Sequence, residues 1–377
     1  MRVAIVGQGY VGVSIGVAAH EAGHEVSGVE INIERISDLK NLGYLVTSDH
    51  SVVKTAEIVL IAVPTPLDSN HEPDLTFLKS ACLAIRPHLK VGTLIINEST
   101  SYPGTLREVI ATSLGNDFEY AVAPERVDPG NLVWNAKNTP RIVGALSETA
   151  LDRALTFYKT ITSNVIEVSS PEIAEAAKLF ENTFRQVNIA LVNEFAQIAH
   201  TLGFSAYETL NAANSKPFGF MRFLPSIGVG GHCIPIDPTY LSYVAERSGI
   251  KANFIDLANK LNREMPIVIA NRIDREYSLK GKKVQIVGLT YKPNVPDLRE
   301  SPSIPLIAAL RNLGAHVTWH DPLIEKYNEE TSAPLSSVDI GIICVAHDGI
   351  DYSPWIKSNV RILDLSISEK LNFPKYF

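Results

Sequence analysis

A thiol, a carboxylate, an ammonium and a carboxamide stand out in this chain by type and spacing. Cys233 lies in Gly228-Val229-Gly230-Gly231-His232-Cys233-Ile234-Pro235-Ile236-Asp237-Pro238, with Asp237 four residues after it. A thiol held near an acid can add to a carbonyl carbon while the acid orders water or moves a proton. The glycines and the prolines Pro235 and Pro238 argue against a long helix or a central strand, so a rigid turn is expected. A cysteine packed as a small apolar residue in a tight turn fits the same spacing. Upstream, Lys178 and Asn182 are four apart, which on a helix puts both on one face. A solvated lysine beside a tolerated asparagine fits that spacing too. The remaining cysteines, Cys82 and Cys344, sit in apolar runs and read as core.

Such groups need a scaffold, and the first residues describe one. The apolar run 3–6 suits a buried parallel strand. Gly7-Gln8-Gly9-Tyr10-Val11-Gly12 follows at once, and 13–22 reads as a helix stopped by Gly23. In that setting Gly7 permits the tight turn, Gly9 lets backbone approach a pyrophosphate, and Gly12 allows close helix–strand packing. A second strand, 25–29, ends in Glu30. An acid there accepts hydrogen bonds from ribose hydroxyls and repels a 2′-phosphate, so NAD is the expected cofactor. Arg35 either braces the adenosine end or is solvated. Further strands are expected at 58–63, 93–97, 120–122 and 141–143. Their carboxyl ends carry Pro64-Thr65-Pro66, Glu98-Ser99-Thr100 and Pro124-Glu125-Arg126, where ligands gather in doubly wound sheets. Helix caps are the alternative reading of Thr65 and Thr100.

Ser170-Pro171-Glu172 opens a helix that runs to about Leu202, before Gly203. At 1.5 Å per residue it would span about 45 Å, more than one domain needs. Apolar Ile173, Ala177, Phe180, Phe184, Val187, Leu191, Phe195 and Ile198 follow the helical period, as in helices that join domains or line a dimer axis. Helices at 238–248 and from about 253 follow. Strands at 282–288, 315–319, 338–345 and 360–364, with helical stretches between, predict a second parallel sheet. After its first strand, Lys292 and Arg299 suit an anionic ligand. His347-Asp348 reads as a turn pair.

The fold expected is thus α/β, with two Rossmann-like, doubly wound parallel-sheet domains joined by a central helical region containing one long helix. The boundaries expected are 1–168, 169–265 and 266–377. A chain of 377 residues supports two or three cores. A net charge of −7 offers no broad attraction to nucleic acid or anionic membrane. Three cysteines with no CxxC argue against a disulfide framework or a metal site and for a reducing, cytoplasmic setting. Neither a signal peptide nor an apolar run of about 18 residues is apparent.

Together the motifs GQGYVG at 7–12, PTP at 64–66, EST at 98–100, PERVDPG at 124–130, AAKLFENT at 176–183, GVGGHCIPIDP at 228–238 and GLTYKPNVPDLRES at 288–301 resemble the nucleotide-sugar 6-dehydrogenase family. That family includes UDP-glucose, UDP-N-acetylhexosamine and GDP-mannose dehydrogenases, and the resemblance spans nearly the whole chain. It implies oxidation of a sugar C6 alcohol to a carboxylate with reduction of two NAD, in polysaccharide biosynthesis. Cys233 then resembles the nucleophile that captures the aldehyde as a thiohemiacetal and carries the later thioester, chemistry that a thiolate suits. Lys178 and Asn182 match the pair that supports the C6 oxygen and the attacking water. Asp237 with Thr100 matches the groups that place water or assist proton transfer, and Glu125 the glutamate implicated in thioester hydrolysis. Around the cofactor the resemblance implies Gly7, Gln8, Gly9, Tyr10, Val11, Gly12, Glu30, Arg35, Pro64, Thr65, Thr100 and Arg299. Around the UDP-sugar it implies Glu125, Arg126, Val127, Lys178, Asn182, Arg222, Leu224, Gly228, Gly230 and Lys292. A homodimer through the long helix is implied as well.

PERVDPG, the histidine before the cysteine and the stretch 216–221 resemble the UDP-N-acetylhexosamine branch, with UDP-glucose the alternative substrate. Three departures bear on fit. The link after Glu30 is shorter than the family's, no arginine follows Asp364, and Arg222 and Ser226 stand where proline or glycine is common. A single-step β-hydroxyacid-type dehydrogenase would share the first domain and long helix but lack the cysteine loop and second α/β domain. A non-catalytic NAD-dependent sensor would have no need of Cys233, Lys178, Asn182 and Asp237.

Overall fold

The computed structural model describes residues 1–377 except 128–130, 132 and 232. The end of the PERVDPG segment and His232 therefore lie outside the described residues. Contacts divide the chain into two compact units, Met1–Glu181 with Thr239–Lys251 and Asn182–Pro238 with Ala252–Phe377.

In the first unit β1 (Arg2–Val6), α1 (Tyr10–Glu21), β2 (Glu25–Val29), α2 (Ile33–Asp38) and β3 (Leu45–Thr47) come first. Next are β4 (Ile58–Ile61), α3 (Thr76–Ile85), β5 (Leu94–Asn97), a π-helical turn (Leu106–Ala111) and the single turn α4 (Thr112–Leu114). Then follow β6 (Glu119–Val122), β7 (Arg141–Ala145), α5 (Glu148–Tyr158) and β8 (Val165–Glu167). The eight strands form one sheet in the order β3-β2-β1-β4-β5-β6-β7-β8. Every residue of β4 and β5 is buried, as strands covered on both faces require. The expected doubly wound, parallel α/β sheet is present with one exception: β7 runs antiparallel to β6. A parallel neighbour needs a crossover, usually helical, and the described part of the link from β6 to β7 contains no helix. The three-residue strands β3 and β8 were not foreseen, being too short to show a period.

α6 (Pro171–Leu202) is the long helix, 32 residues with proline in its first turn. The apolar side chains it buries include Ala174, Leu179, Ala190, Val192, Ala196 and Ala199, none of which belongs to the repeat that revealed it. Ile173, Phe180, Phe184, Leu191 and Ile198 remain exposed. α7 (Ala206–Ala213), α8 (Cys233–Arg247) and α9 (Asn253–Tyr277) follow. α8 corrects the expectation of a turn at Cys233 with a helix only from 238. Cys233 itself begins a 15-residue helix that holds both prolines. Pro235 falls in the first turn, where backbone N–H groups have no helical acceptor, so only Pro238 costs a ladder bond.

The second unit also contains β9 (Lys283–Val287), α10 (Ser303–Asn312), β10 (His316–His320), β11 (Lys326–Tyr327), β12 (Glu330–Thr331), β13 (Ile340–Ile343), α11 (Ser353–Lys357) and β14 (Arg361–Asp364). A parallel sheet runs β10-β9-β13-β14. Between β10 and β13 the chain forms a hairpin instead of the expected helix. Asn328 and Glu329, at φ of 45° and 65°, make its tight two-residue loop.

Candidate active site

The glycine turn of the first unit is built as its spacing implied. Gly7 has φ 93° and donates its N–H to the Val29 carbonyl at 2.9 Å, a conformation that glycine adopts without penalty. A Cβ on Gly12 would overlap the Gly7 carbonyl oxygen, whereas one on Gly9 would meet nothing within 4 Å. The turn therefore packs tightly beneath and lies open above Gly9, at the N-terminus of α1, where N–H groups and the helix dipole favour a phosphate. Glu30 is fixed by the N–H groups of Gln8 (3.2 Å) and Asn32 (3.0 Å). Arg35 donates to the Gln8 carbonyl at 2.7 Å. Gln8 is fully buried, its side chain bonded to Tyr44 and the Ile5 carbonyl and its backbone to Glu30 and Arg35, so it shapes the turn from beneath. Val11 packs on the core, and Tyr10 is half exposed. These residues fit NAD.

Neighbouring strand ends are tied together. Ser99 bonds both the N–H and the carbonyl of Val63 (2.9 and 2.8 Å). Pro64 is exposed and Thr65 buried. The carbonyls of Thr65 and Pro66 accept from Tyr240, a residue the sequence did not single out. Thr100, half-buried, lies between two anchored serines: Ser101 takes one bond from Asn97 and gives one to Glu175 at 3.2 Å.

Glu175 of α6 also accepts the N–H groups of Gly104 (2.7 Å) and Leu106 (3.0 Å). Burial nonetheless pushes its carboxyl up to about 7. Because the folded value exceeds the ordinary one, this group contributes stability at low pH that is lost as pH rises through 7. The advantage of wild type over Glu175→Gln in denaturant melts should therefore shrink between pH 5 and pH 8. An advantage growing over that range would contradict the assignment.

Glu125 and Lys178 meet. The Lys178 ammonium donates to the Glu125 carbonyl oxygen. The Glu125 carboxylate accepts the N–H groups of Arg126 (2.7 Å) and Val127 (2.8 Å) on Oε1 and Arg141 on Oε2 at 2.5 Å. The Arg126 side chain is committed elsewhere, forking onto Glu181 at 2.5 and 3.1 Å and reaching the Pro140 carbonyl. Arg141 and Tyr158, buried with Glu98 around Glu125, escaped the sequence reading, which quoted Glu98 only as the first residue of Glu98-Ser99-Thr100. The only available signal was charge at the start of a buried strand.

In the second unit, Asn182 donates to Asp237 Oδ2 at 2.6 Å, and Asp237 is fully buried. Cys233 is partly exposed at the first position of α8, where a helix end favours negative charge. The described residues of the loop leading to it are braced at several points. Leu224 is half-buried. Ser226 takes the Asn193 side-chain oxygen on its N–H (2.8 Å) and gives its hydroxyl to the Gly228 carbonyl (2.7 Å). Asn193 in turn donates to Asn262, and Asn262 to the Gln186 carbonyl. These buried amides were not foreseen; the seven-residue spacing of Gln186 and Asn193, which puts both on one face of α6, is the signal that could have revealed them. A Cβ on Gly230 would press on Tyr291 Cβ at 2.6 Å, so the cysteine loop and the 288–302 loop pack without room for a side chain. Gly231 donates to the Arg299 carbonyl at 2.9 Å. The Arg299 guanidinium forks onto Asp297, and Lys292 is half-buried in the same loop.

Two departures acquire a physical account. Lys375 lies on Asp364 at 2.7 Å and on the Ser366 carbonyl, supplying a cation where no arginine follows. Arg222 pairs with Glu369 at 2.5 Å and with Asn211, which holds its side chain at the surface.

Comparison with known proteins agrees with this construction. Residues 1–47 and 41–162 match the NAD binding domain of the UDP-glucose/GDP-mannose dehydrogenase family, 172–264 its central domain, and 285–366 its UDP binding domain. A UDP-N-acetyl-D-mannosamine dehydrogenase from Methanocaldococcus jannaschii is 34% identical, covering 98% of this chain and 91% of the relative. A UDP-N-acetyl-D-glucosamine 6-dehydrogenase from Pseudomonas aeruginosa is 32% identical, covering 93% and 89%. The solved structure of a UDP-D-ManNAc dehydrogenase from Pyrococcus horikoshii superposes with a TM-score of 0.88 at 30% identity, over 100% of this chain and 97% of that one. The chain belongs to the UDP-glucose/GDP-mannose dehydrogenase family and is an NAD-dependent oxidoreductase.

Proposed function

We propose that this enzyme oxidises C6 of a UDP-N-acetylhexosamine, UDP-N-acetylmannosamine or UDP-N-acetylglucosamine, to the uronic acid. The observation that carries the reading is the Cys233 thiol at the start of α8, with Asp237 one turn on and bonded to Asn182. Cys233 adds to the C6 aldehyde, giving a thiohemiacetal; loss of a second hydride leaves a thioester, and water releases the carboxylate. Bound NAD supplies the hydride acceptor in each oxidation. Lys178 steadies charge on the C6 oxygen, and Asn182 and Asp237 order the water, with Thr100 on the same duty. Arg299 and the 224–230 loop flank the ligands. The functional division follows the expected boundaries 1–168, 169–265 and 266–377, and three thiols without a disulfide suit a cytoplasmic setting.

UDP-N-acetylmannosamine, UDP-N-acetylglucosamine, UDP-glucose and GDP-mannose offered in turn, with NADH read by absorbance, test this. Two NADH per N-acetylhexosamine, with an acid product, are expected. One NADH with a stable carbonyl product refutes it, and turnover of UDP-glucose alone moves the assignment to that sugar.

The same reading includes a homodimer through α6. Phe180, Phe184, Leu191 and Ile198 are 65%, 41%, 60% and 49% exposed, at the four- and seven-residue spacings of a helix seam. So much apolar surface on one helix face calls for a partner. Phe184→Glu with Leu191→Glu should convert a dimer to a monomer in light scattering. A monomeric wild type removes this part of the reading.

A further inference from the structure

Across the carboxyl ends of the second unit's parallel sheet runs a buried hydrogen-bond relay that the reaction outlined above does not use. His347 and Asp321, which follow β13 and β10, have side chains 1% and 0% exposed. Thr290, which follows the intervening strand β9, is fully buried as well. His347 Nε2 lies 3.1 Å from Asp321 Oδ2 and 3.0 Å from the Thr290 hydroxyl. The backbone N–H of Asn294 meets the other ring nitrogen, Nδ1, at 3.0 Å. Asp321 also accepts the N–H groups of Leu289 (2.7 Å), Thr290 (3.1 Å) and Leu323 (2.9 Å). The Thr290 hydroxyl reaches the Lys292 carbonyl at 3.2 Å.

The direction of each bond follows from the donors. A backbone N–H can only donate, so His347 Nδ1 is an acceptor and the ring proton sits on Nε2. Nε2 therefore donates to Asp321 and toward Thr290, which leaves the Thr290 proton for the Lys292 carbonyl. Burial acts to raise the Asp321 carboxyl, but the hydrogen bond of His347, with the N–H groups of Leu323 and Thr290, outweighs it and holds the group at about 2. The relay thus encloses one turn. Residues 289 and 290 rest on Asp321, residue 294 rests on His347, and half-buried Lys292 lies between them. Asn294, at φ 62°, is in the left-handed region, which asparagine tolerates better than most residues. Asp348 holds it there: it accepts from Asn294 Nδ2 at 2.8 Å, and its N–H donates to Asn294 Oδ1 at 3.0 Å. The histidine and aspartate that read as a turn pair grip Asn294 by its backbone and its side chain.

We infer that His347 is a positioning residue for Lys292: by joining Asp321, Thr290 and the Asn294 N–H it fixes the 289–294 turn, from which Lys292 meets the diphosphate of the nucleotide sugar. The inference rests on the reading of this chain as a UDP-sugar enzyme with Lys292 beside the nucleotide. A diphosphate suits a cation on a turn held at both ends, because the entropy of ordering that turn is settled before the ligand arrives. The consequence is specific: damage to the relay weakens the hold on UDP and leaves the chemistry at C6 and the hold on NAD as they were.

UDP and NAD should be titrated separately by calorimetry into the full chain carrying His347→Ala, Lys292→Ala and both together. UDP is common to every UDP-sugar, so the result does not depend on which one is oxidised. Lys292→Ala should weaken UDP binding by about 10- to 100-fold, the scale of a hydrogen bond to a charged group, and His347→Ala by about tenfold. The double variant should stay within about twofold of Lys292→Ala, because a residue that acts through Lys292 then has nothing left to place. NAD affinity should hold, since the glycine turn belongs to the first unit. With UDP-N-acetylmannosamine, His347→Ala should raise KM about tenfold and keep kcat within about threefold. His347→Asn, whose amide oxygen can take the Asn294 N–H where Nδ1 did, should recover about threefold in UDP affinity. If His347→Ala does not fold, His347→Asn and Thr290→Val, which removes only the hydroxyl on the Lys292 carbonyl, carry the same cycle. Wild-type UDP affinity in His347→Ala overturns the inference. Losses that multiply in the double variant, or NAD binding that weakens in step with UDP binding, overturn it too, since either marks general damage to the fold. Lys292→Ala that binds UDP as tightly as wild type refutes the placement of Lys292, and the inference with it, while leaving the oxidation at Cys233 standing.

Discussion

Cys233→Ala is expected to abolish formation of the acid, lowering kcat by about 10,000-fold or more, the scale seen when a covalent nucleophile is removed. The reason lies in the second oxidation. A free aldehyde has no oxygen-bearing tetrahedral carbon from which hydride can leave; addition of the thiolate creates one, and the thioester that follows is activated toward water. Without the thiol, the first transfer can still proceed, so the variant should yield at most one NADH per sugar. Cys233→Ser keeps a nucleophile but a poorer leaving group, so an ester adduct on residue 233 should persist and be visible by mass. NAD affinity should hold in both variants, because the glycine turn and Glu30 belong to the first unit and Cys233 to the second. Acid formed by Cys233→Ala at even one-hundredth of the wild-type rate would exclude covalent catalysis at this position.

The second large effect is expected at Lys178. The residue is 9% exposed and its ammonium is seated on the Glu125 carbonyl, so it can meet developing charge on the C6 oxygen without first shedding much water. Lys178→Ala should lower kcat by about 100- to 1,000-fold, with KM for NAD little changed. Lys178→Arg should recover little, since a planar fork cannot take the place of a compact ammonium on a single carbonyl. A change confined to KM for the nucleotide sugar would make Lys178 a binding group only.

Both predictions start from residues that were legible in the linear chain, and the reason is that chemistry at these positions is written in local spacing. Gly7, Gly9 and Gly12 announce a phosphate turn because Gly7 takes a positive φ, Gly12 leaves no room for a Cβ, and a bare Gly9 lets a ligand approach the backbone. Lys178 and Asn182 announce a shared face because a helix repeats every 3.6 residues. Buried strands such as 58–61 are legible as unbroken apolar runs. Other features were illegible for equally physical reasons. The helix beginning at Cys233 defied a reading that counted prolines without asking where in the helix they fell. A proline in the first turn loses no bond, and so gives no warning. The exposed face of α6 had the same apolar period as its buried face would have had, since periodicity reports a stripe and not what covers it. The antiparallel β7 followed from a connection with no crossover helix among its described residues, which strand composition does not encode.

What the sequence determined by itself is the dinucleotide turn, the long helix, the second parallel sheet, and the identity of the thiol, ammonium and acids that could do chemistry. These depend on neighbours within a few turns. Only the tertiary structure decided how each of those groups is held: Glu125 clamped by Arg141 from a strand 16 residues on, Asp237 bonded to Asn182 55 residues away, Asp364 answered by Lys375. Such partners meet because the sheet and helices bring distant residues together. Their charges settle once burial has removed water and left each group to find its partner inside the protein.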